Sequence, residues 1–488
     1  MDCDCPIDAE LRSEISALLT PPSPAQVDKY LDEQIKSSNR HCYGIKIKQN
    51  GELGKGVYAE WASKRRTYSQ GPNACGSSTF FQQGLIDCLV CSFCFRFIGS
   101  VELQIGRRLY LQELGVSASQ GCCQTDYSSE DDDLGDSGPS SSSCKEKVPL
   151  PKGFAESLMN GALKLPYSDK FPLPPAVPCH GGCGEAYYCR VGLGFISSLL
   201  CTGEKSEAVS RGALVKFIQH AMSRMDRIWV VSIALLSYYL NTTWQLSSSI
   251  LKYRKLKVAH SEEQENKPNV SGIPYPSLLL EAWKPMSVGH KRSCIINVVG
   301  LHRVAIDVES SDEVAFRMQI RELAFMSLQL LKAAIFDEEC KSLFSLDIYG
   351  HIIGMFELNN LDLVVASPVE DYFLYIDDLP YPEKKEAEEI TRPFLDALGD
   401  DYSVCCQGTA FYPLQSCMNH SCSPNAKAFK REEDRDGQAT IIALKPISKG
   451  EEVTISYVDE DLPFEERQAL LADYGFTCRC PKCLEEEP

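Results

Sequence analysis

Apolar and polar residues alternate near both ends of this chain and follow a helical period through its middle. Tyr43-Gly44-Ile45-Lys46-Ile47-Lys48 alternates as a half-buried strand does, and the glycine turn Gly51 to Gly56 leads into a second short strand at Val57-Tyr58-Ala59. Ala426 to Phe429 and Thr440 to Leu444 read as strands, with Asp436-Gly437 between them as a hairpin turn. Val453 to Tyr457 reads as a further strand. Pro463 suits the first turn of a helix that carries Phe464, Leu470 and Leu471 inward. The clearest helix runs from Asp312 to about Phe336. Ser310 and Glu313 have the spacing of a capping box, and Val314, Met318, Leu323, Met326 and Leu330 lie roughly on one side. Residues 1–38 read as helical and polar, and 255–276 as a loop. The longest apolar run, Ile228 to Leu240, is broken by Ser232 and Ser237. A membrane span needs about 20 apolar residues, so this run is expected to be a buried helix.

Composition narrows the picture. The 488 residues are 44% hydrophobic and 24% charged, which is globular and excludes a fibrous or wholly disordered chain. The balance of 49 basic against 67 acidic residues gives −18. Such a charge opposes broad phosphate-backbone binding and suits a cationic partner, although solubility alone would also explain it. An acidic, serine-rich stretch at 124–145 cannot bury enough apolar surface to order itself. The opening Met1-Asp2-Cys3-Asp4-Cys5 lacks the basic start and apolar stretch of a secretion signal, so a reducing intracellular compartment is expected. There, clustered cysteines read as metal ligands rather than disulfides. The 23 cysteines include Cys88, Cys91 and Cys94, then Cys179, Cys183, Cys189 and Cys201, then Cys478, Cys480 and Cys483. Scattered ones such as Cys294 and Cys340 read as small buried hydrophobes.

Cys478-Arg479-Cys480-Pro481-Lys482-Cys483 places three thiols within six residues. A structural zinc site takes four thiolate or imidazole ligands, so a fourth must come from elsewhere. The best candidate by context is Cys422, within Asn419-His420-Ser421-Cys422-Ser423-Pro424-Asn425-Ala426. That segment, and Gly450-Glu451-Glu452-Val453-Thr454-Ile455-Ser456-Tyr457 after it, resemble the signatures of the SET-domain protein-lysine methyltransferases. The terminal thiol triplet resembles the family's post-SET zinc segment, and Gly54-Lys55-Gly56 with Val57-Tyr58 resembles its first strand turn. Gly408 to Pro413 resembles the run before the Asn-His motif in the SMYD-like class, whose SET domain is split by a MYND zinc module. The overall pattern is similar to plant trithorax-related histone-lysine methyltransferases of that type.

The resemblance implies an α+β fold: small SET sheets with a pseudoknot, interrupted by a MYND-like zinc module and a large helical insert, plus a post-SET zinc segment. The corresponding boundaries are 1–38, an N-terminal helical or flexible extension; 39–87, the first SET part; and 88–201, the zinc module with a disordered insert at 121–175. They continue with 202–404, the helical insert; 405–477, the catalytic core; and 478–488, the post-SET segment. It further implies transfer of a methyl group from S-adenosylmethionine to a lysine amine. Tyr457 would orient the amine. Lys55, Gly56, Val57, Asn419, His420, Tyr474 and Phe476 would contact the cofactor or wall the lysine channel.

For the MYND-like module the resemblance implies Cys91, Cys94, Cys179, Cys183, Cys189 and Cys201 as zinc ligands. Two further ligands expected between Cys189 and Cys201 are absent, because Arg190 to Leu200 contains neither Cys nor His. Cys88 or His180 could substitute, or the module could hold one zinc in a partly assembled state. The implied substrate is a histone tail or another basic protein, with transcription factors as possible partners, a nuclear location and no membrane or sequence-specific nucleic-acid binding. A non-histone methyltransferase and a non-catalytic zinc adaptor are the alternatives that remain open.

Overall fold

The computed structural model describes residues 11–20, 23, 25–26, 29, 44–50, 54–60, 67–70, 78–79, 88–114, 150–190, 199–223, 246–262, 275–288, 313–429 and 435–487, apart from the isolated positions Phe93, Lys152, Glu185, Pro413, Gln438 and Asp473. The apolar run at 228–240, the acidic stretch at 124–145, Ser310 and Cys294 lie outside these residues.

The described chain begins with α1 (Arg12–Leu19), β1 (Ile45–Asn50), β2 (Gly54–Ala59), β3 (Thr67–Gln70) and β4 (Ser78–Thr79). Then follow α2 (Val101–Glu113), α3 (Phe154–Met159), β5 (Val177–Pro178), β6 (Tyr187–Tyr188) and α4 (Arg211–Ser223). A helix across 246–262 is α5. Next are α6 (Tyr275–Val288), α7 (Glu313–Ile335), α8 (Leu346–Asn359), β7 (Asn360–Val365), α9 (Pro368–Asp377) and α10 (Glu383–Leu398). Last come β8 (Cys406–Phe411), β9 (Asn419–His420), β10 (Ala426–Phe429), β11 (Ala439–Ala443), β12 (Glu452–Ile455), α11 (Phe464–Ala472) and α12 (Pro481–Glu486).

Small sheets and two helical cores make an α+β architecture. The sheet that carries the site has the order β1-β2-β12-β9. Its two ends are far apart in sequence, with Val57 opposite Val453 in the β2–β12 pair. Alternation explains β1: Ile45 and Ile47 are buried, and Lys48 points to solvent. The other sheets are β10-β11-β3, β4-β8-β7 and the hairpin β5-β6.

One helical core gathers α1, α4, α5, α6, α7 and α8. Residues 11–20 of the N-terminal extension are therefore part of this core. Leu11, Ile15 and Leu18 are buried there, and the Trp283 indole N–H donates to the Leu18 carbonyl at 3.1 Å. The second core packs α2 and α3 against α9 and α10. On α10, Ala387, Thr391, Phe394 and Leu398 fall on one helical face and are buried.

Four expectations need correction. Residues 255–262 are helix, not loop, because Tyr253 and Ile250 anchor that helix in the first core. Residues 150–175 of the insert are not disordered, since Ala155 and Leu158 of α3 pack on α2. On α7 the buried side is Ala324, Leu328, Leu331 and Ile335, leaving Met326 exposed. On α11 Leu471 is fully buried, whereas Leu470 is exposed. In the last two cases a tolerance of one position in the helical period turns an inward residue outward.

Candidate active site and thiol clusters

The site begins where residues 419–425 run beside β12. In this parallel pair Asn419 lies opposite Thr454 and His420 opposite Ile455. Asn425 bolts the segment down. Its side chain accepts from the Thr454 N–H at 2.8 Å and donates to the Glu452 carbonyl at 2.7 Å. The Asn419 amide donates to Glu452 Oε1 at 2.6 Å. Gly56 sits against both groups: a Cβ there would meet Glu452 Oε1 at 2.5 Å and Asn419 Nδ2 at 3.2 Å. A larger residue there would have to displace the Glu452 and Asn419 side chains from their mutual hydrogen bond. Lys55 and Val57 flank it and are buried.

At the end of β12 the chain presents Tyr457, whose hydroxyl donates to the Met418 carbonyl. Its ring centroid lies 5.1 Å from Tyr474, 5.3 Å from His420 and 6.3 Å from Phe476. These four rings form one cluster. Burial pushes the Tyr457 phenol above its ordinary range, helped by nearby Tyr474, Cys417 and Glu452. The hydroxyl therefore stays protonated at neutral pH. Tyr457 and Tyr474 also wall a cavity of about 450 Å³ that has Asp459 and Glu460 among its lining residues. A larger cavity of about 1090 Å³, walled by Arg96, Phe171 and Tyr375, contains none of the expected site residues. Within it Asp436 is already paired with Arg96 and Asp371 with Arg435.

The terminal thiols converge as expected. Sulfurs of Cys422, Cys478, Cys480 and Cys483 lie within 4.8 Å of one another. Cys422 and Cys483 are 3.5 Å apart, close to the roughly 3.8 Å edge of a tetrahedron with Zn–S bonds of about 2.3 Å. Burial acts to raise the Cys480 thiol, yet the Cys483 backbone N–H and neighbouring thiols bring it down to about 7. Sequence reasoning missed two supports on α11. Gln468 clamps Cys478 through both its N–H and its carbonyl, each at 3.0 Å. Arg467, almost fully buried, faces Cys483 at 3.8 Å and pairs with Glu486. A zinc with four thiolates carries a charge of about −2, which a buried guanidinium offsets. The only available signal was the run of four long polar residues, Glu465 to Gln468, in a short helix before the cysteines.

The six module cysteines sort into two groups rather than one. Cys91, Cys94 and Cys189 form the first, and Cys179, Cys183 and Cys201 the second. The sulfurs lie 3.8 Å apart for Cys94–Cys189 and 3.7 Å apart for Cys179–Cys201, again a zinc-like edge. The first group joins Cys91 and Cys94, ahead of the β5–β6 hairpin, to Cys189 just after it, and the second joins Cys179 and Cys183 of the hairpin loop to Cys201 beyond it. Neither proposed substitute joins a group. Cys88 faces the Val404 carbonyl and Arg108, and the His180 side chain is exposed. Among the described residues, each group offers three thiols.

Gly181 and Gly203 form a cradle at the second group. A Cβ on Gly203 would lie 2.0 Å from the Gly181 carbonyl, and one on Gly181 would lie 2.2 Å from Cys201 Sγ. The backbone N–H groups of Gly181 and Gly203 point at Cys179 and Cys201 sulfurs, at 3.4 and 3.3 Å. Backbone cannot yield as a flexible side chain can. Gly203→Ala is therefore expected to cost the protein one equivalent of zinc by elemental analysis, with the terminal cluster retained.

A rigid strand pair, a buried phenol in an aromatic cluster and a four-thiol terminal knot define a methyltransferase-type site of the SET class. A family model for the SET domain matches residues 249–458. Over 504 residues the chain is 54% identical to histone-lysine N-methyltransferase ATXR2 of Arabidopsis thaliana, covering 100% of this chain and 99% of that protein. It is also 31% identical over 169 residues to protein-lysine N-trimethyltransferase SMYD5 of Gallus gallus, covering 32% of this chain and 39% of that one. A SET and MYND domain-containing protein of Dictyostelium discoideum is 44% identical over 81 residues, 16% of this chain and 22% of its own. The chain belongs to the SET-domain lysine methyltransferase family. Strand β2, which carries Lys55, Gly56 and Val57, lies outside the matched span and joins it through the sheet.

Proposed function

We propose that this chain is a histone-lysine methyltransferase that uses S-adenosylmethionine and places the target lysine against Tyr457. One observation carries the residue assignment. Tyr457, Tyr474, His420 and Phe476 cluster where the 419–425 segment passes the end of β12. The cofactor supplies a methyl group on a sulfonium. The residues present suit it: Asn419 offers an amide, and aromatic faces tolerate a cationic centre.

The lysine amine must first lose its proton, and an apolar, aromatic surround favours the neutral form. The phenol, held protonated by burial, orients the amine at its oxygen. Held there, the nitrogen lone pair would face the sulfonium methyl that the bound cofactor supplies, with Tyr457 keeping the amine in line. Alignment and exclusion of water supply most of the rate. Asp459 and Glu460 at the cavity wall would meet basic residues flanking the target, and the charge of −18 favours a histone tail. Zinc at the three thiol clusters would hold the module and the tail in place. A histone substrate implies action in the nucleus.

The test is transfer of labelled methyl from the cofactor to purified histone octamers, mapped by peptide mass spectrometry. Label on a histone lysine is expected. Label confined to non-histone proteins of a nuclear extract would replace histones as the substrate.

A further inference from the structure

We infer that His420 is a positioning residue that couples the terminal thiol cluster to the backbone of Tyr457. Its ring bridges two parts of the site. Nδ1 lies 3.0 Å from the Tyr457 backbone nitrogen, and Nε2 lies 3.1 Å from Cys422 Sγ. The first contact decides the second. A backbone N–H can only donate, so Nδ1 must present a lone pair. In the neutral ring the proton then sits on Nε2, where it points at the Cys422 sulfur.

Cys422 belongs to the group of four sulfurs that would hold zinc. Those four thiols complete a tetrahedron without His420. The imidazole is therefore an outer partner that donates to a metal-bound thiolate, as Arg467 does on the Cys483 side. The same ring lies tilted against Tyr457 and Phe476, with centroids at 5.3 and 5.8 Å. Loading the cluster with metal leaves the thiolate needing a donor. The donor orients the ring, and the ring fixes the amide of Tyr457. Zinc at the terminal cluster thus sets the position of the amine-orienting phenol through one side chain.

Two isosteres separate the halves of the bridge. His420→Asn keeps an acceptor at the Nδ1 position but cannot reach the thiol. His420→Gln reaches the thiol with a donor but removes the Nδ1 acceptor. The full-length zinc-loaded protein is challenged with a chelator, and alkylation of the Cys478–Cys483 peptide is followed by mass spectrometry. Outer partners of metal ligands are worth ~10–100-fold in metal affinity. His420→Asn is expected to expose this peptide roughly tenfold faster or more, while His420→Gln stays near wild type. In methyl transfer the order reverses, with His420→Gln losing kcat more than KM is raised.

Wild-type protection in His420→Asn would overturn the coupling. So would equal loss of protection in both variants, which is what a merely space-filling role predicts. The protection assay contains no methyl donor or histone. A faster release in His420→Asn from a chain without methyltransferase activity would leave the coupling standing and remove the proposed activity instead.

Discussion

Tyr457→Phe is expected to lower methyl transfer by roughly 10²–10³-fold, the usual cost of removing one oriented polar group from a reacting centre. Binding of the methyl donor by calorimetry should stay within a few-fold of wild type. The change removes one oxygen and leaves the ring, so the contacts with Tyr474 and Phe476 persist. The hydroxyl now donates to the Met418 carbonyl, and that buried acceptor would lose its partner. Thermal stability should therefore fall by about 1 kcal/mol, a small loss beside the rate effect. The pH profile should rise as the substrate amine becomes neutral. The phenol is held above its ordinary value by burial and adds no limb near neutrality. An unchanged rate would remove Tyr457 from the chemistry.

Cys483→Ser is expected to abolish activity by another route. Serine is nearly the same size, but its hydroxyl is a poor zinc ligand at neutral pH. With three thiols left, the tail from Tyr474 onward loses its anchor, and Tyr474 and Phe476 leave the aromatic cluster with it. Structural zinc contributes apparent folding energies of about 10–16 kcal/mol in small zinc peptides, so the lost term is large. Arg467 would then be a buried cation facing fewer thiolates. The checks are zinc stoichiometry, which should drop by one equivalent, and limited proteolysis, which should open new cuts after α11. A variant that keeps its zinc and its resistance would show that the terminal cluster is not a metal knot.

The difference between what was readable and what was not follows sequence separation. Cys478, Cys480 and Cys483 announce a metal site because three ligands lie on one short loop. The strands around β1, β2 and β12 show through their alternation, and α7 shows through its length and period. Arg467 and Gln468 were invisible because their partners depend on how α11 packs over the thiols. Helix α1 looked like an extension because nothing in a short amphipathic segment says what covers it. Residues of α6 and α8 do, and one of them, Trp283, lies 265 residues from the Leu18 carbonyl to which it donates.

From its sequence alone this protein is α+β and carries clustered thiols for structural metal. Its Asn-His segment, strand-end tyrosine and terminal cysteines place it in one family. Those features are local, fixed by spacing and residue type along a few turns of chain. Tertiary structure alone decided that six module cysteines divide into two three-thiol groups, that β2 closes against β12 across some 390 residues, and that His420 spans a thiol and an amide. Each of these depends on packing between distant segments. Burial of apolar surface drives such packing without regard to sequence distance, so no local pattern records it.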